Sequence, residues 1–120
     1  MGAHMVFVLK TSLIPGAGVG VFATSDIPKD TVLHELFSED SRNLSRDEFA
    51  KLNVADEVKT KFSIHDDNIW WVPHNFNKLC IGWYLNHSDT PNLARDEKYN
   101  YHTLVEIANG SELTIDYNDL

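Results

Sequence analysis

The side chains with the most chemical capacity lie in two short polar segments. The first is Asn86-His87-Ser88-Asp89-Thr90-Pro91-Asn92, and the second is Glu112-Leu113-Thr114-Ile115-Asp116-Tyr117. Turn-forming residues dominate the first segment, so it also fits a connector that follows a helix end. The second segment alternates polar and apolar residues, which predicts a strand with Tyr117 on its apolar face. A tyrosine in that position is usually a core residue whose hydroxyl bonds to the backbone.

The residue types and their spacing give little support for hydrolytic, metal-dependent or thiol chemistry. Ser88, His87 and Asp116 can be written as a hydrolase triad, but adjacent Ser and His side chains diverge and no nucleophile elbow surrounds Ser88. The candidate metal ligands are His65, Asp66, Asp67, His74, His87 and His102. No pair of them has the i, i+4 spacing of a helical zinc motif, so scattered surface histidines are favoured and no metal site is predicted. Cys80 is flanked by apolar residues and fits a buried small hydrophobe better than a nucleophile.

A glycine-rich stretch, Gly16-Ala17-Gly18-Val19-Gly20, separates two strand-like runs. Glycine permits positive φ angles and a close approach of the backbone to a ligand. The stretch lacks the strand-turn-helix context of a dinucleotide fingerprint, and no phosphate-binding loop or kinase motif is present. By itself it predicts a tight turn.

Together, and in this order, three segments resemble the SET-domain family of protein lysine methyltransferases. They are Gly18-Val19-Gly20-Val21-Phe22-Ala23, then Asn86-His87-Ser88 with Pro91-Asn92, then Glu112-Leu113-Thr114-Ile115-Asp116-Tyr117. The resemblance covers nearly all of residues 6–120. It implies an α+β, mainly β fold of small β-sheets, with a helical insert at about residues 38–68 and a C-terminal pseudoknot that brings the second and third segments side by side.

The same resemblance implies a cofactor and a catalytic residue. S-adenosylmethionine would be bound by the backbone around Gly18, Val19 and Gly20, by Asn86 at the amino end, and by main-chain groups of His87 at the adenine. Tyr117 corresponds to the catalytic tyrosine of the family. The physical chemistry agrees, because methyl transfer from a sulfonium needs alignment and electrostatics from the protein rather than a nucleophile or metal. A neutral phenol can aim a lysine amine without adding a competing charge.

Two departures from the family pattern lead to further expectations. Many members carry Cys directly after Asn-His-Ser and a Cys-rich, zinc-bearing tail after the tyrosine, whereas this sequence has Asp89 and only three residues after Tyr117. The lysine channel is then completed by a second subunit, by the substrate or not at all, and the preferred hypothesis is a homodimer. Ile115 stands where Phe or Tyr is usual, so products are not expected to be confined to monomethyl-lysine. Phe62 and Tyr84 are the other residues expected to contact the substrate.

The elements that must position these residues are mostly short strands. The pattern predicts strands at residues 6–9, 21–23, 31–37, 69–72, 103–107 and 113–117, with a turn at Asn109-Gly110. Ser45-Arg46-Asp47-Glu48 has the spacing of a capping box. Apolar residues at helical spacing follow it, so one helix is predicted over about residues 46–60 with its apolar residues in the core. These are Phe49, Leu52, Ala55, Val58 and Phe62.

Size and charge narrow the function classes. The 120 residues, 42% of them hydrophobic, are sufficient for one small domain, taken as residues 5–120 after an expression-tag scar at residues 1–4. The formal charge of −8 argues against direct nucleic-acid binding. The acidic excess fits ordinary solubility, and it also suits a basic, lysine-containing protein or histone-like tail as substrate, so charge alone does not decide between the two. Without a membrane span or signal peptide, we expect an intracellular protein, cytoplasmic or nuclear depending on the host. A catalytically silent SET-fold binding or scaffold module is the alternative.

Overall fold

The computed structural model describes residues 5–37, 41–66, 68–98 and 100–119. The chain divides into two compact units, which we call the main unit, residues 1–38 and 81–119, and the insert, residues 39–80. The predicted expression-tag scar, the expected start of the helical insert at residue 38, and the candidate ligand Asp67 lie outside the described residues.

Nine short strands and two short helices make up the regular structure of the described residues. In chain order, the strands are β1 Phe7–Thr11, β2 Val19–Ala23, β3 Ser41–Ser45, β4 Ile64–Asp66, β5 Ile69–Pro73, β6 Asn86–His87, β7 Leu93–Arg95, β8 Tyr101–Thr103 and β9 Glu112–Ile115. The helices are α1 Arg46–Ala50 and α2 Asp56–Lys61, and the 3-10 segments are His34–Leu36, Ile81–Tyr84 and Tyr117–Asp119. The expected α+β, mainly β architecture is therefore confirmed.

The main unit is built on a four-stranded sheet with the order β1-β2-β9-β6. Strands β1 and β2 form an antiparallel hairpin, whereas β9 pairs antiparallel with β2 and parallel with β6. On the inner strands β2 and β9, the facing residues Val21 and Leu113 have no exposed surface. Strands buried this fully are held by burial of apolar area, which contributes about 25 cal/mol per Å². The buried centre of the sheet thus supports β6 and the segment after β9.

A second sheet of the main unit pairs β7 with β8 antiparallel. Its core-facing residues Leu93 and Thr103 are almost completely buried. The hydroxyl of Thr103 is satisfied because it donates to the Pro28 main-chain oxygen at 2.7 Å and accepts from the Thr31 N–H at 2.9 Å. Buried hydroxyls without such partners are costly, so this pair of bonds fixes the adjoining chain.

The predicted strand at residues 31–37 is wrong. Val32 makes an isolated bridge to His102, and the chain then turns into the 3-10 segment His34–Leu36. Leu33 and Leu36 are both buried, which needs the three-residue period of a 3-10 turn rather than the alternation of a strand. Similarly, the strand predicted at residues 103–107 ends at Thr103, and Ile107 returns only as a bridge to Ile27.

The insert contains the sheet β3-β5-β4 and two helices where one was predicted. The capping box is confirmed, since the Ser45 hydroxyl accepts from the Glu48 N–H and the Glu48 carboxylate accepts from the Ser45 N–H. That backbone bond holds the pKa of Glu48 below its ordinary value. Helix α1 nevertheless ends at Ala50, and its Phe49 carbonyl is capped by the buried Lys59 ammonium at 3.1 Å.

The core prediction for this helical region is also wrong. The apolar residues Phe49, Leu52, Val58 and Phe62 are only half-buried, and Ala55 is exposed. Two short helices bury a narrower face than one continuous helix, so they do not bury all the apolar residues of this stretch. Among the described residues, no helix has the length and apolar composition needed to cross a membrane.

Candidate active site

Strand β6 places Asn86 and His87 directly beside the C-terminal strand β9. The two strands are parallel, with Asn86 opposite Thr114 and His87 opposite Ile115. The pairing continues past β6, because the Ser88 N–H donates to the Ile115 main-chain oxygen at 2.9 Å. The expectation that these two distant segments lie side by side is therefore confirmed.

The side chain of Asn92 also binds strand β9 through two hydrogen bonds to its backbone. Its side-chain nitrogen donates to the Glu112 main-chain oxygen at 2.8 Å, and its side-chain oxygen accepts from the Thr114 N–H at 2.8 Å. A side-chain amide that donates and accepts in this way mimics a neighbouring strand. The Pro91-Asn92 part of the sequence motif thus has a direct structural role, which turn propensity alone does not reveal.

Tyr117 begins the 3-10 segment that follows β9 and is held at two points. Its hydroxyl donates to the Leu85 main-chain oxygen at 2.6 Å, and its N–H donates to His87 Nδ1 at 3.0 Å. The predicted backbone partner for the hydroxyl is confirmed. The predicted strand position is wrong, since β9 ends at Ile115 and 48% of the Tyr117 surface stays exposed. The 3-10 turn rotates the ring away from the buried face shared by Leu113 and Ile115.

The bond from Tyr117 fixes the tautomer of His87. Because Nδ1 accepts the Tyr117 N–H, the ring proton of the neutral imidazole lies on Nε2, where it donates to Asp89 Oδ1 at 2.9 Å. Asp116 Oδ1 is 3.6 Å from Nδ1. Ser88 instead accepts from the Thr90 N–H at 3.0 Å. The residues written as a triad therefore form no serine-to-histidine hydrogen bond, and Asp89 orients the imidazole.

Burial raises the pKa of the Tyr117 phenol above its ordinary value. A phenol with a raised pKa is neutral at physiological pH, so the group beside His87 is a hydroxyl and not a phenolate. It can donate one hydrogen bond, here to Leu85, while its lone pairs remain able to accept another. A neutral hydroxyl at this position is what the resemblance to the SET-domain family implies, and a role in orienting a lysine amine stays a prediction.

The glycine-rich stretch is confirmed as a turn between β1 and β2. The Ser12 N–H donates to the Gly18 main-chain oxygen at 2.7 Å and closes the turn. Gly18 has a φ of 76°, a left-handed conformation that residues with a Cβ adopt at a cost, although a Cβ there would meet nothing within 4 Å. At Gly20, a Cβ would lie 2.2 Å from Glu112 Oε2, so a larger residue there would displace the Glu112 carboxylate.

A polar cluster joins this turn to Asn86. The Asn86 side-chain nitrogen donates to the Val19 main-chain oxygen at 2.9 Å and to Glu112 Oε2 at 3.0 Å. Glu112 also accepts from the Ser12 hydroxyl at 2.8 Å and from the Leu13 N–H at 2.9 Å. Sequence patterns do not indicate the roles of Ser12 and Leu13, because their partner lies about a hundred positions away.

The other sequence-predicted residues lie at different places. Ile115 is 5% exposed, on β9. Tyr84 is half-buried, in the 3-10 segment Ile81–Tyr84, and Phe62 is half-buried, at the C-terminal end of α2 in the insert. Contact of these three with a substrate stays a prediction. Cys80 is half-buried rather than fully buried. In the part of the chain that the structure describes, no group of three His, Cys, Asp or Glu residues could hold a metal ion.

Comparisons with solved structures give the same architecture. A humanized mutant of the Chaetomium thermophilum Polycomb Repressive Complex 2, bound to the inhibitor GSK126, matches with a TM-score of 0.69 and 22% identity over 98% of this chain and 15% of that one. The C. thermophilum complex in an autoinhibited conformation bound to S-adenosylmethionine matches with a TM-score of 0.68, 21% identity and coverages of 98% and 16%. This chain therefore spans only about a sixth of those chains.

A Plasmodium falciparum protein of similar size, described as a candidate histone methyltransferase, matches with a TM-score of 0.58 and 19% identity over 92% of this chain and 91% of that one. These identities support the fold alone. No curated protein is similar enough in sequence to match significantly. The family model for the SET domain matches residues 18–118, which include Gly18 and Gly20 of the glycine-rich stretch, β6 and Tyr117. The chain therefore belongs to the SET-domain family, whose characteristic activity is S-adenosylmethionine-dependent methylation of lysine in proteins.

Proposed function

We propose that this domain is an S-adenosylmethionine-dependent protein-lysine N-methyltransferase with Tyr117 as its catalytic residue. The observation that carries the proposal is the double attachment of Tyr117 to the segment around β6. The hydroxyl is bound to Leu85 and the N–H to His87, on either side of Asn86. A neutral phenol is thereby fixed next to the residues expected to bind the cofactor.

The residues of the glycine turn and β6 fit that cofactor. Both Gly16 and Gly18 present backbone with nothing within 4 Å of a Cβ position, so this side of the turn is open to a ligand. Asn86 has its side-chain nitrogen committed to Val19 and Glu112, which leaves its oxygen as the acceptor for a positively charged amino group. The backbone of residues 18–20 and the Asn86 oxygen would hold the methionine portion, and His87 main-chain groups would meet the adenine.

When bound, S-adenosylmethionine supplies an electrophilic methyl group on a sulfonium. The protein's part is to bind, desolvate and align the lysine amine for in-line attack. The amine must be neutral, and a lysine pKa of about 10.4 in water falls when the side chain is buried in an apolar environment. The Tyr117 hydroxyl, which donates to Leu85, would accept a hydrogen bond from that amine without forming a competing ion pair.

The charge distribution supports a basic protein or peptide, such as a histone-like tail, as the substrate. Ten acidic and four basic residues belong to the main unit, so six of the eight excess negative charges lie in the unit that carries Tyr117. A field of this sign attracts lysine-rich segments and repels nucleic acid, which is not proposed as a direct ligand. The same field does not favour association with an anionic membrane.

We propose that products are not confined to monomethyl-lysine. Ile115 has no hydroxyl to hold a water molecule beside the amine, so the site offers nothing polar at that position to disfavour a methylated amine. Phe62 and Tyr84 are proposed as further contacts of the substrate side chain. Mass spectrometry of the product that finds only the monomethyl form would contradict this part of the proposal.

We further propose that a second copy of the chain completes the lysine channel. The support is the exposure of Tyr117, since 48% of the surface of a catalytic residue is left open among the described residues. A lysine amine is desolvated only when that ring is covered on its open side. Sedimentation that finds a monomer at concentrations where the protein is fully active would oppose the homodimer. An intracellular location, cytoplasmic or nuclear, stays a proposal.

The activity is tested by incubating the protein with methyl-labelled S-adenosylmethionine and a panel of lysine-rich proteins, among them histones, with acidic proteins as the matched control panel. Transfer of label to lysine in the basic proteins is the expected result. Cofactor binding without transfer to any protein would instead support the silent binding or scaffold module. Absence of both binding and transfer would contradict the proposed function.

A further inference from the structure

Glu112 is the centre of the polar cluster beside Asn86. Neither the family resemblance nor the proposed mechanism gives this residue a role. Its two oxygens accept from three donors, the Ser12 hydroxyl, the Leu13 N–H and the Asn86 side-chain nitrogen, at 2.8 to 3.0 Å. The first two donors lie in the turn after β1, and the third lies on β6. A single carboxylate on β9 therefore ties together the two segments expected to hold the cofactor.

An ionised carboxylate accepts hydrogen bonds and donates none. The Asn86 atom that faces it at 3.0 Å must therefore be the amide nitrogen, and the Val19 main-chain oxygen, also an acceptor, requires the same atom at 2.9 Å. Turning the amide over would place its oxygen against two acceptor oxygens. Both Asn86 hydrogens are used in this way, and only its oxygen is left for a ligand.

We propose that Glu112 is a positioning residue that sets the polarity of Asn86, so that the site accepts a positively charged amino group. This inference rests on the proposed function and names the end of the cofactor that Glu112 controls. The negative charge of the carboxylate favours the same ligand group. Gly20 takes part because a Cβ at that position would lie 2.2 Å from Glu112 Oε2, so only glycine lets the carboxylate reach Asn86.

Replacing Glu112 with Gln separates this role from simple packing. The carboxamide has the same shape but only one acceptor oxygen. It can satisfy either Leu13 or Asn86, and its NH₂ group then faces the donor that remains. The variant thus keeps the side-chain volume and weakens the constraint on the Asn86 amide, because with the NH₂ group facing Asn86 only the Val19 main-chain oxygen still requires the amide nitrogen.

The test is calorimetric titration of wild type and Glu112→Gln with two probes. S-adenosylhomocysteine carries the amino-acid end, and methylthioadenosine has the nucleoside and thioether without it. We expect the affinity for S-adenosylhomocysteine to fall at least about tenfold in the variant, which corresponds to about 1.4 kcal/mol, whereas methylthioadenosine binds both proteins alike. Glu106→Gln, the same change of charge at an exposed glutamate, is expected to alter neither titration.

Equal loss of both probes would reduce Glu112 to a structural residue, and unchanged binding of S-adenosylhomocysteine would overturn the proposal directly. Wild type that binds neither probe would instead overturn the proposed function. If Glu112→Gln does not fold, Gly20→Ala provides the second variant, since it displaces the carboxylate without removing it. The same selective loss is expected from it, and equal loss of both probes would again contradict the proposal.

Discussion

The Tyr117 N–H donates a hydrogen bond to His87 Nδ1 at 3.0 Å, across a gap of thirty positions in the sequence. The two rings lie 5.3 Å apart between centroids, and the imidazole is oriented in turn by Asp89. The His87 side chain therefore has a structural role, because it holds the backbone from which the proposed catalytic phenol projects.

Removal of the His87 acceptor is expected to lower kcat more than it raises KM for the cofactor. His87→Leu loses a hydrogen bond with a net value of about 0.5–1.5 kcal/mol, so a fall in rate of up to about tenfold is expected. His87→Asn keeps an acceptor close to the position of Nδ1 and should restore part of the rate. The check is steady-state kinetics of both variants, and equal rates for Leu and Asn would argue against positioning through this bond.

Gly18→Ala is expected to destabilise the fold through backbone strain alone. A residue with a Cβ pays about 1–2 kcal/mol in the left-handed conformation, and the open space around Gly18 excludes a steric contribution. Asn tolerates this conformation better, so Gly18→Asn should lose less. Urea unfolding of the three proteins gives the free energies of unfolding. An alanine variant as stable as wild type would mean that the turn adopts another conformation.

The Tyr117 phenol is expected to titrate above the ordinary tyrosine value of 10.0, because burial disfavours the phenolate. The folded state then holds this proton more tightly than the unfolded state does. Its contribution to the free energy of unfolding is fully present below the unfolded pKa and is lost as the pH rises through the folded pKa. Carbon NMR of ring-labelled tyrosine, with Tyr117→Phe to assign the signal, measures this pKa. A value at or below the ordinary one would contradict the expected effect of burial.

Local patterns in the sequence predicted the elements that depend on neighbouring residues. The capping box at Ser45, the turn before β2 and strand β5 are all confirmed, because each is determined by a few adjacent side chains and backbone angles. The resemblance to the SET-domain family also implied that β6 lies beside β9, and this is confirmed. In each case, the residues that carry the sequence pattern also form the structural feature, either in one short stretch or in the motifs of the family.

The features that local patterns missed depend on partners far away in the chain. Helix α1 ends where the Lys59 ammonium caps a carbonyl, and residues 31–37 follow the burial of Leu33 and Leu36 rather than strand alternation. The contacts of Ser12 and Leu13 with Glu112 join residues that lie about a hundred positions apart in the sequence. No periodicity within either segment records such pairings, so only the folded chain reveals them.

The most direct test of the central claim compares methyl transfer by wild type, Tyr117→Phe and the control Tyr101→Phe. Tyr117→Phe removes the hydroxyl bound to Leu85, whereas Tyr101→Phe removes a hydroxyl from strand β8, outside the proposed site. With labelled S-adenosylmethionine and a lysine-rich substrate, Tyr117→Phe is expected to lose about a hundredfold in rate, as when one preorganised hydrogen-bonding group is removed from an active site, and to bind the cofactor normally. Tyr101→Phe is expected to retain its rate. Undiminished transfer by Tyr117→Phe would contradict the catalytic role of this tyrosine.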